Sequence, residues 1–138
     1  MALLRHLAKR CDDMEKSRKF YETVIGLKFV DYRANHEALD MTDGTSNITL
    51  IQQPADCRRP TLKEGNEYLH FGVIVDDVQG CWNRCREWGA ELSKDTIKQG
   101  SDVSDSDRAP QRSFKVVDPD GNVVDVTGAH DEWRSVRI

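Results

Sequence analysis

The chain carries one pattern twice, and this duplication restricts its fold more than any other feature. RHLAKRCDDMEKSRKFYETVIGL and LHFGVIVDDVQGCWNRCREWGAEL follow a single template. In each copy a strand carries a histidine, His6 or His70, and the second aspartate of an Asp-Asp pair follows seven residues later. A helix then begins. Asp12 with Glu15, and Asp76 with Gln79, have the spacing of a capping box, in which the first side chain accepts from a free backbone N–H and the later one reaches back. Met14, Ser17, Tyr21, Val24 and Ile25 recur on one side of the first helix; Val78, Cys81, Trp82, Cys85 and Trp88 do so on the second. Each helix therefore has a face to bury.

Gly26 and Gly89 stand where helices commonly end, and three strand-like runs follow each of them. They are KFVDYR, EALDM and NITLIQQ in the first copy, and AELSKDTI, SFKVV and NVVDVTG in the second. The order strand, helix, strand, strand, strand, written twice, predicts an α+β chain of two tandem βαβββ modules. The expected layout is a single domain with module one at 1–53, a linker at 54–67, module two at 68–128 and a tail at 129–138. PADCRRPTLKEGNE, polar and punctuated by Pro and Gly, supplies the linker. KQGSDVSDSDRAPQ is a long polar insertion in the second copy, open to two readings: a functional lid or a solvated loop.

A chain of 138 residues can bury a core without a disulfide framework. Its four cysteines lack the spacing of a zinc ribbon and read as free thiols, with Cys81 and Cys85 packing on one helix face. The net charge of -4 argues against nonspecific nucleic-acid binding. The apolar stretch of MALLRHLAKR is too short and too soon interrupted for a signal peptide, and no window reaches membrane-spanning length. A cytoplasmic protein with no membrane partner is the expectation.

Three elements in this order resemble the vicinal-oxygen-chelate superfamily of glyoxalase I, bleomycin-resistance proteins and extradiol dioxygenases. They are the H-x6-D strand entries, the FYETVIGLKF segment and the VVDPDGNVVDV ending. The resemblance covers nearly the whole chain. It implies that the modules, paired either within one chain or between the two chains of a homodimer, curl into an open, U-shaped mixed β-barrel around a cavity, and family precedent favours the homodimer. It also implies one divalent ion, Fe, Mn, Ni, Co or Zn, held by His6, His70 and Asp125, with Asp125 where the family usually has Glu. The family's fourth ligand position falls on Thr49, whose neutral hydroxyl is a poor ligand; Gln52 would substitute only in a different strand register. Two histidines and a carboxylate leave positions open for substrate.

Burial of Asp125 between Val124 and Val126 requires compensation, which a metal would supply. Strand parity turns Val123, Asp125 and Thr127 to one side and Val124 and Val126 to the other. Lys115 shares the inward phase on the preceding strand, and Arg10 shares that of His6. These two cations are the candidate catalytic or substrate-orienting residues, Lys115 either recognising an anion and moving a proton or reaching toward a solvated rim. His36 and His130, in polar surroundings, read as surface residues.

Extradiol enzymes usually place Tyr where this chain has Lys115, which disfavours ring cleavage by their mechanism. Fosfomycin thiol transferases carry Thr and Tyr where this chain has Ala8 and Lys115. The leading expectation is a metal-dependent lyase or isomerase acting on a small, oxygen-chelating, anionic substrate. The alternatives are a non-haem Fe(II) dioxygenase and a metal-free small-molecule binding protein of the resistance type.

Overall fold

Alternating apolar and polar residues give each strand one face for a helix and one face for chemistry. The computed structural model describes residues 5–57, 70–93 and 106–132. The chain divides into two compact units, Met1–Pro60 and Thr61–Ile138. Most of the expected linker, the tail beyond 132, residues 94–97 of the expected AELSKDTI strand and the first half of the polar insertion lie outside the described residues.

The first unit runs β1 (His6–Cys11), α1 (Met14–Phe20), β2 (Lys28–Tyr32), β3 (Ala38–Thr42) and β4 (Asn47–Gln52). Its sheet order is β1-β4-β3-β2, with β1 parallel to β4 and the other pairs antiparallel. Leu39, Met41 and Leu50 are wholly buried on the helix side, and Leu39 pairs directly with Leu50. The next pair along, Asp40 with Thr49, is in the opposite phase. Lys9, also in the helix phase, lies with its ammonium 5.1 Å from the centre of the Tyr21 ring, so the charge rests on an aromatic face.

The first helix widens at its end. Tyr21–Ile25 form a π turn in which the Tyr21 carbonyl accepts from both Gly26 and Leu27 at 2.9 Å. Gly26 closes it at φ 93°, a left-handed conformation that favours glycine. The wide turn buries Tyr21, Val24 and Ile25 together.

The second unit repeats the order as β5 (His70–Ile74), α2 (Val78–Trp88), β6 (Leu92–Ser93), β7 (Ser113–Val117) and β8 (Val123–Thr127). Its sheet order, β5-β8-β7-β6, is that of the first. Phe114, Val116, Val124 and Val126 are buried with Leu92, and Trp82 of α2 meets Phe114 edge-on at 4.9 Å. The described end of the polar insertion is tied to α2. Ser106 accepts from the Trp82 indole at 2.9 Å, Asp107 pairs with Arg86 at 2.8 Å, and Gln79 accepts from the Ala109 N–H at 3.0 Å.

Both helix starts differ from the expected capping boxes by one residue. Asp13 accepts from the Lys16 N–H at 2.9 Å and Asp77 from the Gly80 N–H at 2.8 Å. Glu15 instead bonds Tyr32 and Arg18, and Gln79 bonds Asn83 and the insertion. The cause is strand pairing, which continues past the expected break: the Cys11 carbonyl accepts from Gln53, and Val75 donates to Thr127. Gln52 seals the first entry, accepting from the Met14 N–H at 3.0 Å and donating to the Asp12 carbonyl at 2.8 Å. Its side chain is therefore structural.

Cys11, Cys81 and Cys85 are buried free thiols, and the last two hydrogen-bond to each other. Among the described residues no helix is long and apolar enough to cross a membrane.

Candidate functional site

In the second unit β8 and β7 place Asp125 and Lys115 opposite one another, and β5 lies on the other side of β8. The Lys115 ammonium stands 3.5 Å from one Asp125 oxygen, and the His70 Nε2 stands 3.7 Å from the same oxygen. Lys115 and Asp125 are mostly buried, at 13% and 15% side-chain exposure, so their charges act on one another with little screening. Burial pushes the Asp125 carboxyl above its ordinary range, opposed by the charges of Lys115 and His70. The sequence assigned compensation of this carboxylate to a metal; Lys115 also supplies it.

The DPDGN run builds the turn that holds β7 against β8. Asp118, almost fully buried, accepts at one oxygen from the Asp120 N–H at 2.9 Å and the Asn122 N–H at 2.8 Å, and Gly121 takes φ 82°. Its role is to fix the register that puts Lys115 opposite Asp125.

The first unit carries a different polar group on the corresponding face. The register His6↔Asn47, Ala8↔Thr49 and Asp40↔Thr49 places Thr49 where the second unit has Asp125, and Asp40 where it has Lys115. The Thr49 hydroxyl donates to Asp40 at 2.6 Å and accepts from Arg33 at 3.0 Å. Arg33 also forks onto both Asp40 oxygens, at 3.0 and 3.2 Å. Burial would raise the Asp40 carboxyl, but bonds from Arg33, Thr49 and Asn47 outweigh it and hold the group below its ordinary range. Thr49 is thereby engaged inside its own unit. His6 makes a 2.6 Å contact from Nδ1 to Asn47 Oδ1.

His70, Asp125 and Lys115 are thus brought together on one sheet face. His6 and Arg10 stand on β1 of the first unit, each two residues from Ala8, on either side of it, and in the same strand phase. His36 and His130 are exposed. Among the described residues no three His, Cys, Asp or Glu side chains gather as a metal-holding group.

The pair His70 and Asp125 nonetheless fits a cation. Imidazole nitrogen and carboxylate oxygen are suitable donors, and 3.7 Å is less than twice an ordinary metal–ligand bond of about 2.1 Å, so one ion can touch both. Asn47, Asp40 and Arg33 were not singled out from the sequence. A signal for them exists: Asp40 lies between Leu39 and Met41 just as Asp125 lies between two valines.

A family model described as Glyoxalase/Bleomycin resistance protein/Dioxygenase superfamily matches residues 3–126. The chain is 31% identical over 111 residues to a lactoylglutathione lyase of Neisseria meningitidis, covering 72% of this chain and 78% of that protein. It is 28% identical over 130 residues to a glyoxalase domain-containing protein of Mycosarcoma maydis, covering 93% of this chain and 69% of that one. In fold it is similar to a trypanothione-dependent glyoxalase I of Leishmania major, with a TM-score of 0.68 at 18% identity over 92% of this chain and 86% of the other.

Proposed function

The chain belongs to the glyoxalase/bleomycin resistance protein/dioxygenase superfamily, and within it we propose a divalent-metal-dependent lyase or isomerase acting on a small, oxygen-chelating anion. The observation that carries this reading is the convergence of His70 and Lys115 on one oxygen of the largely buried Asp125. His70 and Asp125 would hold the ion, with His6 as the third ligand that the family resemblance implies, and these nitrogen and oxygen donors suit Fe, Mn, Ni, Co or Zn. When bound, a divalent ion polarises two adjacent substrate oxygens and stabilises the negative charge that develops on them.

The remaining work falls to side chains of this chain. Lys115 presents an ammonium beside the ion-binding carboxylate, where it draws in the anionic end of a substrate and orients it. Arg10, in phase with His6, offers a second cation with the planar fork that suits a carboxylate or phosphonate. The negative charge of Asp125 would offset both the Lys115 ammonium and a bound cation. Similarity to a lactoylglutathione lyase supports lyase or isomerase chemistry over oxygenation.

The Lys115–Asp125 pair also favours a second reading, in which the carboxylate is balanced without a metal and the protein binds a small molecule. Calorimetric titration of the metal-free protein with cobalt and zinc separates the two. One ion bound per chain in the wild type and none in Asp125→Ala is the expected result. An identical titration of both proteins would remove Asp125 from the ligand set, and absence of binding to the wild type would favour the second reading. Lys115→Met should weaken an anionic competitor at least about tenfold, the scale of one charge-assisted bond, with metal content intact.

A further inference from the structure

His6 and His70 occupy equivalent places in the repeat, yet their partners across the sheet differ. His6 faces Asn47 in the register and His70 faces Val123. The His6 Nδ1 lies 2.6 Å from Asn47 Oδ1. An amide side chain can be placed either way round, so its neighbours must decide which atom faces the ring. Here they do. The amide oxygen is the atom 2.6 Å from the ring, and the Asn47 NH2 helps hold the Asp40 carboxyl low; the reverse placement would set the amide oxygen against a carboxylate that at neutral pH only accepts. The oxygen therefore faces His6. Since that oxygen can only accept, the hydrogen of the contact sits on His6 Nδ1.

We propose that Asn47 is the positioning residue for His6, holding it as the Nδ1–H tautomer so that Nε2 presents its lone pair. A neutral histidine free in water prefers the hydrogen on Nε2, so the sheet reverses the intrinsic choice. The support extends outward from the amide. The Thr49 hydroxyl donates to Asp40 at 2.6 Å, and Arg33 clamps both Asp40 oxygens, which fixes the carboxylate that faces the Asn47 amide. Each link is a neighbour in the strand register or on the loop after β2, so backbone pairing sets the spacing. The arrangement matches the general way metal-ligating imidazoles are oriented, by an acceptor at the other ring nitrogen.

The same network explains Thr49. At the place equivalent to Asp125 the first unit has a residue whose hydroxyl supports a carboxylate one strand away. Its contribution to a metal centre would be indirect, through Asp40 and Asn47 to His6.

The inference rests on the proposed metal-dependent function for its purpose, and its test is independent of it. Nitrogen-15 NMR of the metal-free protein, at a pH where imidazoles are neutral, reads which ring nitrogen of His6 carries hydrogen. The wild type should show the Nδ1–H form. Asn47→Leu should revert to the Nε2–H form, and Asn47→Asp, which keeps an acceptor in place, should retain Nδ1–H. A wild-type His6 with hydrogen on Nε2, or no change in Asn47→Leu, would overturn the assignment. The folded dispersion of the same spectra, with Asn47→Asp as the second variant, guards against misfolding as an explanation. Cobalt affinity measured in parallel should fall about 10- to 100-fold in Asn47→Leu. If the wild type binds no cobalt, the metal-dependent reading fails while the tautomer result still decides the role of Asn47.

Discussion

The two modules share a sheet order and a strand register, and differ in where each puts its carboxylate. In the first, Asp40 lies on β3 opposite Thr49; in the second, Asp125 lies on β8 opposite Lys115, so the acidic position has moved across one strand pair. The environments drive the two acids in opposite directions. Asp40, given three hydrogen-bonding partners, is held low, whereas Asp125, more deeply buried, is pushed up by that burial in spite of the Lys115 ammonium beside it. Duplication thus preserves the frame, whose core positions are coupled to packing, and frees the opposite face to diverge. The first face became a hydrogen-bonded support and the second a pair of ionisable groups with a histidine beside them.

The largest expected effect concerns the cores that keep these faces in register. The second unit depends on Trp82 against Phe114, while the first uses Phe20 and Tyr21, whose rings meet edge-on at 5.5 Å. Trp82→Ala removes a wholly buried ring and the bond to Ser106, and should cost roughly 3–5 kcal/mol in urea unfolding. A loss below about 1 kcal/mol would mean that the second core does not hinge on this pair.

Next in size are the helix entries, where the modules are most alike. Asp13→Ala and Asp77→Ala should each cost about 1 kcal/mol, because each accepts from a helix N–H, and Asp12→Ala and Asp76→Ala should cost less. Equal losses at first and second positions, measured by denaturant midpoints, would reinstate the capping boxes expected from spacing.

The smallest effect tests the contrast between the acids. A folded-state pKa held below the ordinary Asp value of about 3.9 contributes stability that is present above that value and lost as pH falls through the lower folded one. The stability difference between wild type and Asp40→Asn should therefore be widest near neutrality and narrow below about pH 4. With Arg33 half exposed, solvent screening limits the Arg33–Asp40 pair to about 1 kcal/mol or less. A pH-independent gap would show that Asp40 is supported by packing rather than by its charge.

Much of this was legible in the sequence because it depends on period and order. The repeat gave two βαβββ modules, strand parity put Lys115 and Asp125 on one face, and the DPDGN run marked a turn. The offset of the caps was not legible, since spacing alone permits either aspartate and only continued pairing through Cys11 and Val75 selects the second.

The network around His6 was hidden for a related reason. Asp40, Asn47 and Arg33 are separated along the chain and come together only when β4 inserts between β1 and β3. Sequence determines the phase of a side chain, because phase is a local property of the backbone. Partners depend on which strand lies alongside and at what register, and that is settled by burial of the whole helix-facing surface. Tertiary structure therefore decided that Thr49 serves Asp40, that Gln52 seals a helix entry, and that Asn47 faces His6 while Val123 faces His70.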